Sequence, residues 1–262
     1  LGGLAVVGGT LVGVTAGDTM SFVLAALLVA STAGRVVDAV TDGGHASMCQ
    51  EFVDGLRVVG RSAPLRATFV SVAFGALAQG LFVVLFVVFV ARVLHGDATE
   101  IGLLRGVQAI GGIVGGALLG VLGRRISAGP LMVVGALTLG VLELLMWNGP
   151  LLMTTEGVYL GLFIAIGIPA IGYSTGLTSA LQRYAPKSHL GRVFSAFFAV
   201  YGCMQAAGML LAGIVGDKVN IGIVLNGQAM LYVLAGCAVL ISSRYFRGER
   251  ELNGANVGIA PK

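Results

Sequence analysis

Two ionisable side chains sit inside apolar runs: Arg105 in EIGLLRGVQAIGG and Glu143 in LGVLELLMW. A charge in such surroundings needs a counterion, water or a bound partner. Three chemistries follow: an ion pair between Arg105 and Glu143, an anion contact at Arg105, or a carboxyl at Glu143 that takes up and releases a proton. Uncharged polar residues fall in similar runs. Gln79 lies near the middle of one, Gln108 follows Arg105 at i+3, Tyr173, Ser174 and Thr175 follow Pro169, and Tyr201 and Gln205 are one helical turn apart. Each can either contact a small molecule in a cavity or hold two helices together, and Tyr201 can equally be a packing aromatic. Sequences for zinc-protease, serine-hydrolase or nucleotide-phosphate chemistry (HExxH, GxSxG, the P-loop) are absent, so the reading is of a non-enzyme without a cofactor. His45, His95 and His189 fall between the apolar runs, and Cys49, Cys203 and Cys237 are too scattered for a disulfide framework or a metal site.

Apolar runs that carry such residues must be membrane spans. The chain has 262 residues, 56% apolar and only 11% charged, with a mean hydropathy of +0.95. Spanning a bilayer takes about 20 mostly apolar residues. Six runs qualify, at roughly 67–91, 101–122, 130–148, 157–180, 191–215 and 221–243. Two shorter runs, roughly 1–16 and 20–37, precede them, and Gly17-Asp18-Thr19 between them predicts a tight turn and hence a helical hairpin. The fold class is all-α membrane protein, because lipid offers nothing to free backbone N–H and C=O groups.

Charge gives the orientation. Thirteen of the sixteen Lys and Arg fall on one side of the alternating spans, including Arg57, Arg124, Arg125, Arg183 and Arg192, while Arg92, Arg105 and Lys218 do not. By the positive-inside rule that side is cytoplasmic, which places the segment 38–66 and the tail 244–262 on the cytoplasmic side of a cell membrane. The net charge of +4 arises from these short clusters, with no aromatic-interleaved basic face, so no nucleic-acid partner is implied.

Residues Ser47 to Arg66 are polar enough to lie outside the bilayer. Ser47 and Gln50 have capping-box spacing, and Phe52, Val53, Leu56 and Val59 recur at helical intervals opposite Glu51, Asp54, Arg57 and Arg61. That pattern reads as a surface helix or as a solvated linker. Glycines are placed regularly: Gly111, Gly112, Gly115, Gly116 and Gly120 form overlapping steps of four, as do Gly9, Gly13 and Gly17, spacing that lets helix backbones approach closely.

The stretches EFVDGLRVVGRSAPLR (51–66) and LQRYAPKSHLGRVFS (181–195) resemble, in order and in place, two cytoplasmic segments of major facilitator superfamily transporters in the enterobactin-exporter and macrolide-efflux branch. The first resembles the linker between the two six-helix halves. The second resembles the loop between the tenth and eleventh spans, with Arg183, Gly191 and Arg192 at matching positions. GALLGVLGRRISAG (116–129) stands where the superfamily repeats a glycine-acid-arginine signature. Gly120, Arg124 and Arg125 are retained, but Gly123 replaces the acid, so the charge relay that the superfamily makes there lacks its carboxylate.

The resemblance implies spans five to twelve of twelve: 1–37 as the last two helices of the N-terminal half, 38–66 as linker, 67–243 as the C-terminal half and 244–262 as tail. It implies proton-coupled efflux of an amphipathic small molecule of drug or siderophore type, a lipid bilayer as surroundings, and a cavity lined by the spans that carry Gln79, Arg105, Gln108, Tyr173 and Tyr201. An uptake carrier of the same fold, or a transporter-like scaffold that carries nothing, are the competing readings.

Overall fold

A computed structural model of the protein describes residues 11–33, 48–122, 126–151, 156–216, 218–244 and 246. All regular structure among these residues is helical. The helices are α1 (Leu11–Ala33), α2 (Met48–Arg61), α3 (Ala63–Arg92), α4 (Ala98–Leu122), α5 (Ala128–Asn148), α6 (Glu156–Tyr184), α7 (Leu190–Val215) and α8 (Ile221–Ile241). Helices α3 to α8 are long and apolar enough to cross a membrane, and they match the six long runs of the sequence to within a few residues.

Local chemistry sets their ends. Pro64 occupies the first turn of α3, where its missing N–H costs nothing. Asp97 accepts from the N–H groups of Thr99 and Glu100 at the start of α4, and Glu100 Oε2 accepts from Asp97 N at 2.9 Å, which completes a reciprocal cap. Pro186 breaks the chain before α7, and Asn220 caps α8 through its side chain, 2.8 Å from Gly222 N.

The six spanning helices pack as two interlocked units of three. Helix α3 lies against α7 and α8, α6 lies against α4 and α5, and α5 meets α8. Exchanging α3 with α6, α4 with α7 and α5 with α8 leaves that pattern unchanged. The correspondence holds at single residues. A methyl added to Gly80 would collide with the carbonyl of Gln205 and with Gly208, and one added to Gly167 would collide with the carbonyl of Gln108 and with Gly111. Likewise Gly140 abuts Val233, and Gly236 abuts Leu137. Because each unit has an odd number of spans, the second runs inverted relative to the first. Of the glycine ladder on α4, Gly111 and Gly115 meet α6, while Gly116 and Gly120 have nothing within 4 Å.

The turn expected at Gly17-Asp18-Thr19 is not formed. Helix α1 continues through it, with Thr19 Oγ1 donating to Thr15 O at 2.8 Å. A continuous helix pairs backbone groups that a turn inside an apolar run would leave open. Helix α2 is amphipathic as its spacing predicts, and Gly55 lets it rest on the first turn of α7 at Arg192 O and Ala196. Ser47, the expected cap, lies outside the described residues.

Candidate functional site

A cavity of about 130 Å³ opens among α3, α5, α6 and α8, and Gln108 of α4 and Tyr201 of α7 also line it. Its walls are mainly apolar, from Val72 and Phe82 on α3 to Ile166 and Leu177 on α6. The polar groups enter at a few points. Tyr173 Oη donates to Ser71 O at 2.8 Å and lies 3.0 Å from Ser71 Oγ, which ties α6 to α3. Gly75 makes this approach possible, since a Cβ there would come within 2.6 Å of the phenol oxygen. Tyr232 Oη donates to Gln79 Oε1 at 3.0 Å, which ties α8 to α3. The rings of Tyr173 and Tyr232 meet edge to face at 6.3 Å, a favourable arrangement of their quadrupoles. Ser174 gives its hydroxyl proton to Ile171 O at 3.1 Å, so its oxygen is left as an acceptor on the cavity wall.

The acidic member of the lining is Glu143, 2% exposed. Gln228 Nε2 donates to Glu143 Oε2 at 2.7 Å, and Trp147 Nε1 donates to Gln228 Oε1 at 3.1 Å. An indole N–H can only donate, so it fixes which end of the Gln228 amide faces the carboxyl. Glu143 Oε1 has no protein hydrogen bond among the described residues.

Gln79, Gln108, Tyr173, Ser174 and Tyr201 lie around this one cavity, and Glu143, which the sequence did not assign to it, lines it too. Arg105, Thr175 and Gln205 are not part of the lining. Of the three chemistries open to Arg105 and Glu143, the ion pair between them is not formed. The Arg105 guanidinium lies 4.6 Å above the Phe82 ring and 4.8 Å from that of Phe86, a cation–π seat. The reason is lateral: α4 packs on α6 and not on α5, so equal depth does not bring the two side chains together. Gln205 contributes its backbone carbonyl to the Gly80 contact instead.

Gln228 and Tyr232 were not anticipated. They stand at i and i+4 on α8, the same one-turn spacing that singled out Tyr201 and Gln205, and that spacing is the signal that could have found them. Of the residues read as cytoplasmic loop motifs, Gly120 lies near the end of α4, Arg183 in the last turn of α6 and Gly191 in the first turn of α7, and all three are exposed. Arg192 Nη1 lies 3.9 Å from Asp54 Oδ2, and Arg57 Nη1 lies 3.2 Å from Asp54 Oδ1. Arg124 and Arg125 lie outside the described residues.

An inverted pair of three-helix units around a sparsely polar cavity is the architecture of a secondary transporter half. The profile of the Major Facilitator Superfamily matches residues 68–260, most of the chain and all of the six-helix bundle except the first five residues of α3. The chain belongs to the major facilitator superfamily. No curated protein and no solved structure matches it. Membership makes this a multi-pass membrane protein of the secondary-transporter class, with a bilayer as its surroundings and a small molecule as its cargo. Within such a transporter the cavity between α3 and α6 is the place to look for cargo contacts, because alternating access turns about a site buried near the bilayer midplane.

Proposed function

We propose that this superfamily member exports amphipathic small molecules of drug or siderophore type across a cell membrane, in exchange for protons. The observation that carries the reading is Glu143: a fully buried acid on the cavity wall, without a cationic partner among the described residues, held by a neutral amide. A carboxyl in that position can alternate between a protonated and an ionised form as the cavity changes its access to water. Gln79, Gln108, Ser174 and Tyr201 then serve as cargo contacts, and Gln228 serves as the group that keeps the carboxyl in place. The likeness of 51–66 and 181–195 to the enterobactin-exporter and macrolide-efflux branch supports export. The positive-inside rule supports a cytoplasmic α2 and tail.

The test is transport by the full-length protein reconstituted in vesicles with an imposed proton gradient. Efflux-direction flux that collapses with the gradient, and that is lost in Glu143→Gln, is the expected result. Flux in the opposite direction would make the protein an uptake carrier. No flux in either direction, across a panel of amphipathic compounds, would make it a scaffold. Gradient-driven flux unchanged in Glu143→Gln would remove the proton role from this residue.

A further inference from the structure

We infer that the cleft between the start of α5 and the end of α6 binds the phosphate of an anionic phospholipid in the cytoplasmic leaflet. Neither export nor protons enter here: superfamily membership supplies the bilayer, and the positive-inside rule supplies the cytoplasmic side. The cleft measures about 290 Å³ and is lined by Ile126, Ser127, Ala128, Ser179, Gln182 and Arg183. It shares no lining residue with the central cavity. Ser179, Gln182 and Arg183 stand at i, i+3 and i+4, so they share one face of α6, with Ser127 across from them on α5. No Asp or Glu lines the cleft, so an anion meets no carboxylate there. None of its four polar side chains has a hydrogen-bond or ion-pair partner among the described residues. Arginines elsewhere on this side of the protein are engaged, Arg57 and Arg192 by Asp54 and Arg66 by Gly60 O at 3.0 Å.

Backbone contact holds the two walls in place. A Cβ on Gly176, one turn before Ser179, would come within 2.8 Å of Met132 N and 3.2 Å of Ala128 O, so α6 presses directly on the start of α5. Phe246 is buried, packs its ring on Gly129 and meets the Tyr184 ring edge to face at 5.4 Å, which ties the same two helix ends together from the tail. A phosphodiester offers two charged oxygens that an arginine fork can hold together, while hydroxyls and an amide supply further donors. Basic clefts between span ends on the cytoplasmic side are seats for acidic headgroups. The surface beside the cleft favours a lipid over a soluble phosphate. Ile126 is exposed at its edge, and Pro130, Val134 and Val141 continue an exposed stripe along α5. Val134 and Val141 follow Ser127 by two and four turns on the same helical face, so an acyl chain leaving the cleft has an apolar track into the bilayer.

Lipid binding to the purified full-length protein in detergent tests this, with retained lipid read by native mass spectrometry. The probes are dioleoyl-phosphatidylglycerol, dioleoyl-phosphatidylcholine and inorganic phosphate. Phosphatidylglycerol should bind about fivefold more tightly than phosphatidylcholine, the worth of one basic residue near an acidic headgroup. Arg183→Gln should remove that preference, and Arg183→Lys should keep most of it. Ser127→Ala combined with Ser179→Ala leaves the cation and should weaken phosphatidylglycerol about two- to threefold. Arg61→Gln removes an exposed cation outside the cleft and should change nothing. Circular dichroism checks that each variant is folded. Equal binding of the two lipids, or a preference unchanged in Arg183→Gln, overturns the inference. A loss in Arg61→Gln as large as that in Arg183→Gln also overturns it, since the charge of the whole face and not the cleft would then be responsible. Inorganic phosphate that displaces phosphatidylglycerol from the Arg183 site at equal concentration would assign the cleft to a soluble anion and overturn the lipid.

Discussion

Glu143 and Gln228 are joined across the α5–α8 contact by a 2.7 Å hydrogen bond from Gln228 Nε2 to Glu143 Oε2, and both side chains are buried. Gln228 cannot be removed quietly, because its other end accepts the indole N–H of Trp147. Gln228→Leu therefore strips a donor from a buried carboxyl and orphans an indole at once. We expect a loss of about 1–3 kcal/mol in stability. Unfolding of the detergent-solubilised protein measures it, and Trp147, the single tryptophan of the chain, should shift its emission. An unmoved emission maximum and unchanged stability would mean that the three side chains are not linked.

The close backbone contacts predict a sharp division among glycines. Gly80→Ala and Gly167→Ala press a methyl onto a facing carbonyl, and each should destabilise by about 1–3 kcal/mol, as overpacking does. Gly116→Ala and Gly120→Ala meet nothing within 4 Å. They should be neutral or stabilise by up to about 1 kcal/mol through helix propensity. Thermal stability of the four variants side by side is the measurement, and an indistinguishable set would contradict the packing.

Tyr232 and Gln79 form a polar link between α8 and α3. A double-mutant cycle with Tyr232→Phe and Gln79→Leu should return a coupling of about 0.6 kcal/mol, the usual size for hydrogen bonds between membrane helices. A coupling of zero would leave both side chains to the cavity alone.

Asp97 lies outside the spans, and its carboxyl is held below its ordinary value of 3.8, chiefly by the backbone N–H groups of Thr99 and Glu100. The ionised form is favoured in the folded state, so the cap is fully present above pH 3.8 and is lost as pH falls through the lowered value. Amide exchange at Thr99 and Glu100 should lose its protection below that pH. In Asp97→Asn, which caps without a charge, protection should be insensitive to pH in the same range.

The spans were legible because lipid imposes a simple rule on length and polarity, and because Pro64, Pro186 and the clusters of Arg mark the ends. Which spans touch was not legible. Arg105 and Glu143 share a depth, yet α4 is carried away from α5 to lie on α6, and nothing in the local sequence records that choice. The cavity was half legible for the same reason: Gln79, Gln108, Tyr173, Ser174 and Tyr201 stand out as polar residues in apolar runs, whereas Gln228 acquires its role only through contact with Glu143 and Trp147. Gly17-Asp18-Thr19 misled because turn-forming residues mark a turn only where the backbone can afford to leave the helix.

The two-fold packing of the bundle carries one more implication. Gly140 and Gly236 correspond, 96 positions apart (236 − 140), so the same step sets Val239 opposite Glu143 and Met132 opposite Gln228, both of them fully buried and apolar. The framework repeats and the electrostatics do not. A two-fold frame that holds one acid and no counterpart is polar along its own pseudo-symmetry, so a Val239→Glu variant should not reproduce at that position what Glu143 has at its own.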